Sequence, residues 1–398
     1  MLWDVVHIDD QQRRARLALR HALARDAQAG SVEEATRALT VLHATDSSTI
    51  YLALAARVPG LSPADVDRAL YEKRSVIRQM AMRRTLFGVP VELMPAVVGS
   101  AGHRLVGQQR RAIARDVEKA GLSADGDAWV QTAEAAVSRL LADGGEFTAP
   151  QIRELLPEVA GTIDYAPGKS YGGAQPIAPR VLTAMSAHGS IVRARQHHHW
   201  RLNRPTWQSM ESWIGAPLEP VTEQQGYAEL VGAWLRSFGP GTEEDLVWWL
   251  GSTKAAVRRA LADVEALTVT LDGGATGWVL PDDLAPTPEV EPWVALLPSL
   301  DPTTMGWKGR GFYLDERQPR YFDRVGNAGA TAWLDGRVVG TWIQDADGVV
   351  RVHLDEAVPA WAQRAFRAEA ERLSAWCEGV RISSIWVSPA MAEAAKAL

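Results

Sequence analysis

Thr242-Glu-Glu-Asp245-Leu-Val-Trp-Trp-Leu250-Gly-Ser-Thr253-Lys-Ala-Ala-Val257-Arg-Arg-Ala-Leu261-Ala-Asp263 is followed, after three residues, by Leu267-Thr-Val269-Thr-Leu271-Asp-Gly-Gly-Ala-Thr-Gly277-Trp278-Val279-Leu280. Thr242 is a good N-cap, and Glu243, Glu244 and Asp245 set negative charge against the positive end of a helix. Ser252 to Asp263 has the composition of another helix. Beyond it, two short β-prone runs flank Asp272-Gly-Gly, a good hairpin turn. Upstream, Tyr227 to Phe238 reads as a helix that stops at Gly239-Pro240-Gly241. Three helices followed by a hairpin is the order of a winged helix.

The same order recurs upstream. Asp127 to Leu141, Thr148-Ala-Pro150 through Leu156, and Pro179 to Ala187 read as helices, and Ile191-Val-Arg193-Ala-Arg195 as a wing strand. Gly161 to Pro179 reads as a loop inserted before the third of them. Nearer the start, Arg13 to Arg25 and Ser31 to His43 read as helices, the second opened by Ser31 with Glu34 at capping-box spacing. Ser62-Pro63 opens another, with Val66, Ala69 and Leu70 on its apolar face. Val76 to Phe87 then alternates like a strand pair, ending at Gly88-Val-Pro90.

Asp282 to Pro292 is acidic and proline-rich, the composition of a linker. Strands are expected over Trp293–Leu297, Ala330–Leu334, Val338–Ile343 and Val349–Leu354, with Asp335-Gly336 and Asp347-Gly348 as turns. A helix over Pro359–Glu378 and a last strand over Ile382–Val387 complete the pattern. The expected class is α+β, with three tandem winged-helix modules and a C-terminal β-rich domain. The expected boundaries are 1–98, 99–222, 223–281 and 292–398.

The 398 residues, 46% hydrophobic and 23% charged, are those of a globular chain with several cores. Cys377 is the single cysteine, so neither a disulfide framework nor a cysteine metal site can form within one chain. The first twenty residues carry charges throughout, and no run of ~18 uncharged apolar residues occurs. A cytoplasmic protein without a membrane span is therefore expected. The formal net charge is −6, yet cations gather in 104–115, 193–204 and 308–324, leaving room for a basic groove on an acidic body.

No phosphate-binding glycine loop and no Gly-x-Ser-x-Gly elbow is present. His197-His198-His199 lacks partner ligands at metal-binding spacing, so neither a metal nor another cofactor is expected. Two other features stand out. Within the apolar run Leu39-Thr-Val-Leu-His43-Ala-Thr45-Asp46-Ser-Ser-Thr-Ile50-Tyr-Leu52, an imidazole, a hydroxyl and a carboxylate fall where a core should continue. Such groups are either buried and satisfied or face a cleft.

The second is the interleaving of basic and aromatic residues in Arg193, Arg195, His197, His198, His199, Trp200, Arg201 and Arg204. Cations there suit phosphates and rings suit bases, although a charged strand edge has the same composition. Arg78, Arg83 and Arg84 on the first wing form a second set, and Trp307-Lys308-Gly-Arg310 a third.

Tandem winged helices, Tyr71-Glu72 with Met80-Ala-Met82-Arg83-Arg84-Thr85, Arg204-Pro-Thr206-Trp207, Trp213-Ile-Gly215, Leu297-Pro-Ser-Leu-Asp301-Pro-Thr-Thr-Met-Gly-Trp307-Lys308 and Asn327-Ala-Gly329 together resemble the bacterial winged-helix DNA glycosylases of the AlkZ and YcaQ kind. The resemblance implies winged helices and a β-rich domain around a DNA channel, with damaged duplex DNA as partner. It also implies hydrolysis of the N-glycosidic bond of alkylated purines, including bulky genotoxin adducts, as in repair or self-resistance. By position, His43-Ala-Thr45 stands where that family has Gln-x-Gln or Gln-x-Asp, which makes His43, Thr45 and Asp46 the candidate catalytic group. A neutral imidazole with a reference pKa of ~6.5 can take a proton from water. No dimer helix is evident, so a monomer is expected. A non-catalytic winged-helix regulator or a lesion-shielding protein is the alternative.

Overall fold

The computed structural model describes residues 6–165, 168, 172–196, 199–382 and 384–398. The chain is α+β and divides into two compact units, residues 1–69 with 228–398, and residues 70–227.

In the first unit, the helices Glu243–Leu250 and Lys254–Asp263 follow Glu223–Phe238, and the strands Leu267–Leu271 and Thr276–Val279 pair antiparallel as a wing. The cap read from sequence is a full capping box. The Asp245 amide donates to Thr242 Oγ1 at 3.1 Å, and the Thr242 amide to Asp245 Oδ2 at 2.9 Å. The remaining Asp245 oxygen accepts the amides of Lys308 and Gly309, both at 2.8 Å. An unforeseen strand, His7–Ile8, adds in parallel to Leu267–Leu271. Two residues carry too little pattern to be read in advance.

The C-terminal part is a four-stranded antiparallel sheet of Val294–Leu297, Thr331–Leu334, Arg337–Gln344 and Val350–Leu354, in that order. The helix Ala360–Cys377 covers it, packing Ala362, Phe366 and Leu373 against Trp342 and Val350. Among the described residues, which leave out Ser383, the last expected strand, Ile382–Val387, does not form. The Ile382 amide donates to the Gln344 side chain at 2.8 Å rather than to a ladder, Ile385 and Val387 are exposed, and Pro389–Lys396 folds as a helix instead. The acidic linker is pinned: Asp283 accepts from Arg16 at 2.8 Å and Arg20 at 2.5 Å.

At the N-terminus both expected helices are shorter than read. The first spans Asp10–Arg20, and Ala22 takes a left-handed φ of 55°. The second is Val32–Ala38, capped by Ser31 as read, but ending five residues before His43. Thr40 adopts φ 61°, a costly conformation for a β-branched residue. Its hydroxyl donates to the Ala233 carbonyl at 3.1 Å and lies 2.9 Å from Ser237 Oγ, which offsets that cost. The chain then re-enters helix at Ser47–Ala55.

Behind that helix lies a closed polar network. Arg57 and Asp301 are both fully buried and joined by two hydrogen bonds, Nη1 to Oδ2 at 2.9 Å and Nη2 to Oδ1 at 2.8 Å. Arg57 also donates to the His21 and Ala53 carbonyls and to Thr303 Oγ1. His21 Nε2 faces the Ser237 carbonyl at 3.1 Å and must carry the proton, while Nδ1 accepts from Thr303 at 2.8 Å. This fixes a neutral ring. Burial, and then the charge of Arg57, hold its pKa well below the usual histidine range.

The second unit holds a complete winged helix. The helices Gly126–Leu141, Ala149–Leu155 and Ala178–Ala187 precede the strand pair Ile191–Gln196 and Pro205–Ser209, and Phe147–Thr148 pairs with the latter. Val130, Val137, Ile152, Val181, Ile191 and Trp207 fill its core. Gly126 allows close approach to the helix His103–Lys119: a Cβ there would stand 2.3 Å from the Ala114 carbonyl oxygen. The stretch expected as an inserted loop contains an antiparallel ribbon, Thr162–Tyr165 with Gly173–Pro176. The strand pair read near residue 80 is present as Val76–Met80 and Leu86–Pro90.

Two outcomes follow from the network. Asp301→Ala leaves the Arg57 charge buried without a counter-ion and is expected to cost ~3–5 kcal/mol, read as a lowered urea midpoint at constant slope. A loss below ~1 kcal/mol, the range of an exposed pair, would contradict that role. Because the folded-state pKa of His21 is depressed, the unfolded chain binds the extra proton below pH ~6.5, so stability falls as pH drops through that value and is flat above it. Thermal melts of His21→Gln beside the parent, from pH 7.5 to 5, should show the smaller decline in the variant.

Candidate functional site

The His43 loop is built by a helix that stops early and one that starts late. After Thr40 turns the chain, Leu42–His43 forms a two-residue strand, with Leu42 fully buried and His43 5% exposed. Ala44 is buried, Thr45 and Asp46 are half-buried, and Asp46 caps the next helix. The helix expected over Ser31–His43 therefore stops short of these polar residues, and a new one begins beyond them. All nine residues of Ser47–Ala55 are buried, so that helix offers no polar face from which its start could be read.

Asp46 spends only one oxygen on the cap. Oδ1 accepts the Ser48 amide at 3.0 Å and the Ser48 hydroxyl at 2.7 Å, and no described donor reaches Oδ2. Thr45 Oγ1 is buried and has no hydrogen-bond partner among the described residues. Native structures leave few such atoms, and each calls for a water, an ion or a ligand. Beside the loop lies a cavity of about 230 Å³, bounded by Asp46, Ser48, Leu52, Trp342, Gln344 and Met391. Its polar walls are largely committed. Thr49 donates to the Ser299 carbonyl at 2.9 Å, Trp342 to the Leu297 carbonyl at 2.8 Å, and Gln344 to the Gly348 and Val380 carbonyls.

The basic wing residues fall in the second unit. Arg195, His199, Arg201 and Arg204 are exposed and Trp200 is half-buried, its ring 5.2 Å from that of His199. His197 and His198 lie outside the described residues. Arg193 is half-buried over Trp207, 4.5 Å from the ring centre. Burial, and then the like charge of Arg78, lower its pKa, and Nε finds no acceptor. Arg78 is buried and donates to the Ala194 carbonyl at 3.4 Å. Arg83 and Arg84 occupy successive left-handed positions, φ 54° and 61°, in the turn between the two strands. Arg84 is exposed there and Arg83 half-buried.

The third basic set is corrected. Trp307 is 3% exposed and cannot stack on a base. Its indole donates to the Phe238 carbonyl at 3.1 Å, and its ring packs among His21, Phe238, Phe312 and Tyr313. Lys308 is exposed but pairs with Glu244 at 2.5 Å. Their neighbour Arg310 is the member of the set without a carboxylate, buried between Phe322 at 4.0 Å and Trp248 at 5.3 Å. Among the described residues no cluster of three or more His, Cys, Asp or Glu could hold a metal ion, and no helix is long and apolar enough to cross a membrane.

Comparison with known proteins places this geometry. The family model described as DNA glycosylase AlkZ-like matches residues 36–376. A comparison with curated protein sequences gives no match. Among solved structures, the Streptomyces sahachiroi DNA glycosylase AlkZ is similar at a TM-score of 0.75 and 19% identity, covering 95% of this chain and 99% of that one. At that identity the likeness speaks for the fold. The family match spans the His43 loop, both complete winged helices and most of the C-terminal sheet domain, and the chain belongs to the AlkZ-like family of DNA glycosylases.

Proposed function

We propose that the protein hydrolyses the N-glycosidic bond of alkylated purines, of the N7-alkylguanine or N3-alkyladenine type, in duplex DNA, and that His43, Thr45 and Asp46 form its catalytic group. The observation that carries this reading is the unpartnered, buried Thr45 hydroxyl beside an Asp46 carboxylate with one oxygen unclaimed. A site that holds a water and faces a developing cation uses both.

The chemistry balances with these groups alone. An N7- or N3-alkylated purine carries positive charge. When its bond to C1′ breaks, the electron pair moves onto the base and neutralises it, so little acid help is needed. The sugar is left as an oxocarbenium ion, which the Asp46 carboxylate stabilises. A water held by Thr45 adds to C1′ and gives its proton to His43. The cavity next to Asp46, at about 230 Å³, is smaller than the ~300–1,000 Å³ of drug-sized sites and suits one heterocycle or the end of an adduct. The division into modules at 1–98, 99–222, 223–281 and 292–398 belongs to the same reading, as do Arg84, Arg193, Arg195, Arg201 and Arg204 as backbone contacts.

Purified protein incubated with a duplex bearing one N7-alkylguanine, then treated with alkali, should give strand breaks at the lesion. Lesion-selective binding without breaks would mean a shield, and preference for an undamaged sequence a regulator. His43→Ala should lower the rate ~10²–10⁴-fold, the usual worth of a positioned acid–base group, with binding retained. Full activity in that variant would sink the assignment.

Asp46 separates two roles cleanly. Asp46→Ala should cost about 1 kcal/mol of stability through the lost cap, whereas Asp46→Asn keeps the cap. Excision should fall in both; unchanged excision in the Asn variant would reduce Asp46 to a structural cap. On the wings, Arg84, Arg193 and Arg195 changed together to Gln should flatten the slope of log K against log salt by about 2 to 3. An unchanged slope would remove them from the DNA interface.

A further inference from the structure

We infer that the C-terminal part of the first unit holds a built oxyanion site at Arg310, which takes a backbone phosphate of the bound DNA. The inference rests on DNA being the partner and is independent of the His43 loop.

Arg310 is 7% exposed, so its guanidinium has lost most of its water. Burying such a charge is expensive unless an anion accompanies it. Two of the chain's other deeply buried guanidiniums have theirs: Arg57 has Asp301 and Arg16 has Asp283. Arg310 has none. Its Nε makes no hydrogen bond, and its neighbours are the faces of Phe322 and Trp248 and the Tyr313 phenol. Aromatic faces soften the cost but do not neutralise the charge.

The guanidinium lines a cavity of about 770 Å³ that opens to solvent. On the wall stands Arg324, exposed and likewise without an ion pair among the described residues. A third wall is the N-terminus of the helix Pro389–Lys396, through Ser388, Pro389 and Ala392, whose dipole also favours an anion.

One lining residue is acidic, and it is turned inward. Asp323 Oδ1 accepts the amides of Val325 and Asn327, both at 2.9 Å, and Oδ2 the Asn327 amide side chain at 2.9 Å. Its charge is thus spent within the Asn327-Ala-Gly329 turn. Two unpaired arginines and a helix N-terminus around one opening make a receptor for an oxyanion. The fork of Arg310 suits the paired oxygens of a phosphate, which a lysine could not match.

A duplex supplies that group, and so does a free phosphate, and two measurements on the full chain tell them apart. The first is duplex affinity against salt by anisotropy, for the parent, Arg310→Gln, Arg324→Glu and Ala392→Glu. The last two leave the buried arginine untouched and place a carboxylate at the mouth. The second is the thermal midpoint of the same proteins in inorganic phosphate or pyrophosphate against chloride at equal ionic strength.

A backbone phosphate predicts a roughly tenfold loss of duplex affinity in each variant, with the salt slope of Arg310→Gln reduced by about 1. Phosphate-specific stabilisation that Ala392→Glu abolishes, with duplex affinity and slope unchanged, assigns the site to a free phosphate and overturns the DNA assignment. Parent-like duplex binding and no phosphate-specific stabilisation in any protein overturn the site altogether. If the parent fails to excise alkylated purines yet its duplex affinity depends on Arg310 and Arg324, the phosphate site stands and the catalytic reading falls.

Discussion

The buried pair of Arg57 and Asp301 is the constraint on which the His43 loop depends. Arg57 lies two residues beyond the helix Ser47–Ala55, and Asp301 four residues beyond the strand Val294–Leu297. Their bidentate contact therefore clamps the helix that begins at Asp46 to the turn that leaves the sheet. One further hydrogen bond extends the clamp along the helix, Thr49 to the Ser299 carbonyl. A buried ion pair is a poor source of net stability, since desolvation consumes most of the attraction. What it supplies is registry. Any shift of the helix would strip a full charge of its partner, so the loop at His43 to Asp46 sits on a foundation with one permitted position.

That foundation explains why polar residues can interrupt an apolar run. A helix buried on every side has four amides at its start that need acceptors. Asp46 answers one of them, the Ser48 amide, with one carboxylate oxygen and has another to offer. The cap and the proposed chemistry thus draw on the same carboxylate, the first on Oδ1 and the second on Oδ2. Thr45 precedes it, and its buried hydroxyl has no hydrogen-bond partner among the described residues.

Much of the fold was legible because it is written in local chemistry. Caps at Ser31, Ser62, Thr148 and Thr242 mark helix starts that the structure reproduces, and Asp-Gly turns mark the C-terminal hairpins. What was not legible depends on distant partners. The helix read as far as His43 ends at Ala38, and only the left-handed Thr40, held by residues some 200 positions away, shows why. Trp307 next to Lys308 resembles a stacking residue until Phe238 and His21 close over it. The two-residue strand at His7 and the missing strand at Ile382 fail in opposite directions for one reason: short β segments are made by their neighbours. At the candidate site, the residue types were readable, whereas the unclaimed oxygen of Asp46 was not.

A net charge of −6 looks wrong for a protein that holds a polyanion, and the pairing of its arginines removes the difficulty. Many cations are spent within the chain. Arg16 and Arg20 share Asp283, Arg317 and Arg337 share Asp315, Arg320 holds Asp355 and Glu393, and Lys308 holds Glu244. Such pairs contribute to the sum in both columns and nothing to the field outside. Arg84, Arg193, Arg195, Arg310 and Arg324 have no carboxylate partner among the described residues, and these sit on wings or at a cavity mouth. Affinity for a duplex scales with the phosphates neutralised rather than with net charge, so a handful of unpaired guanidiniums outweighs an acidic body whose charges are already answered or lie beyond a Debye length of ~8–10 Å.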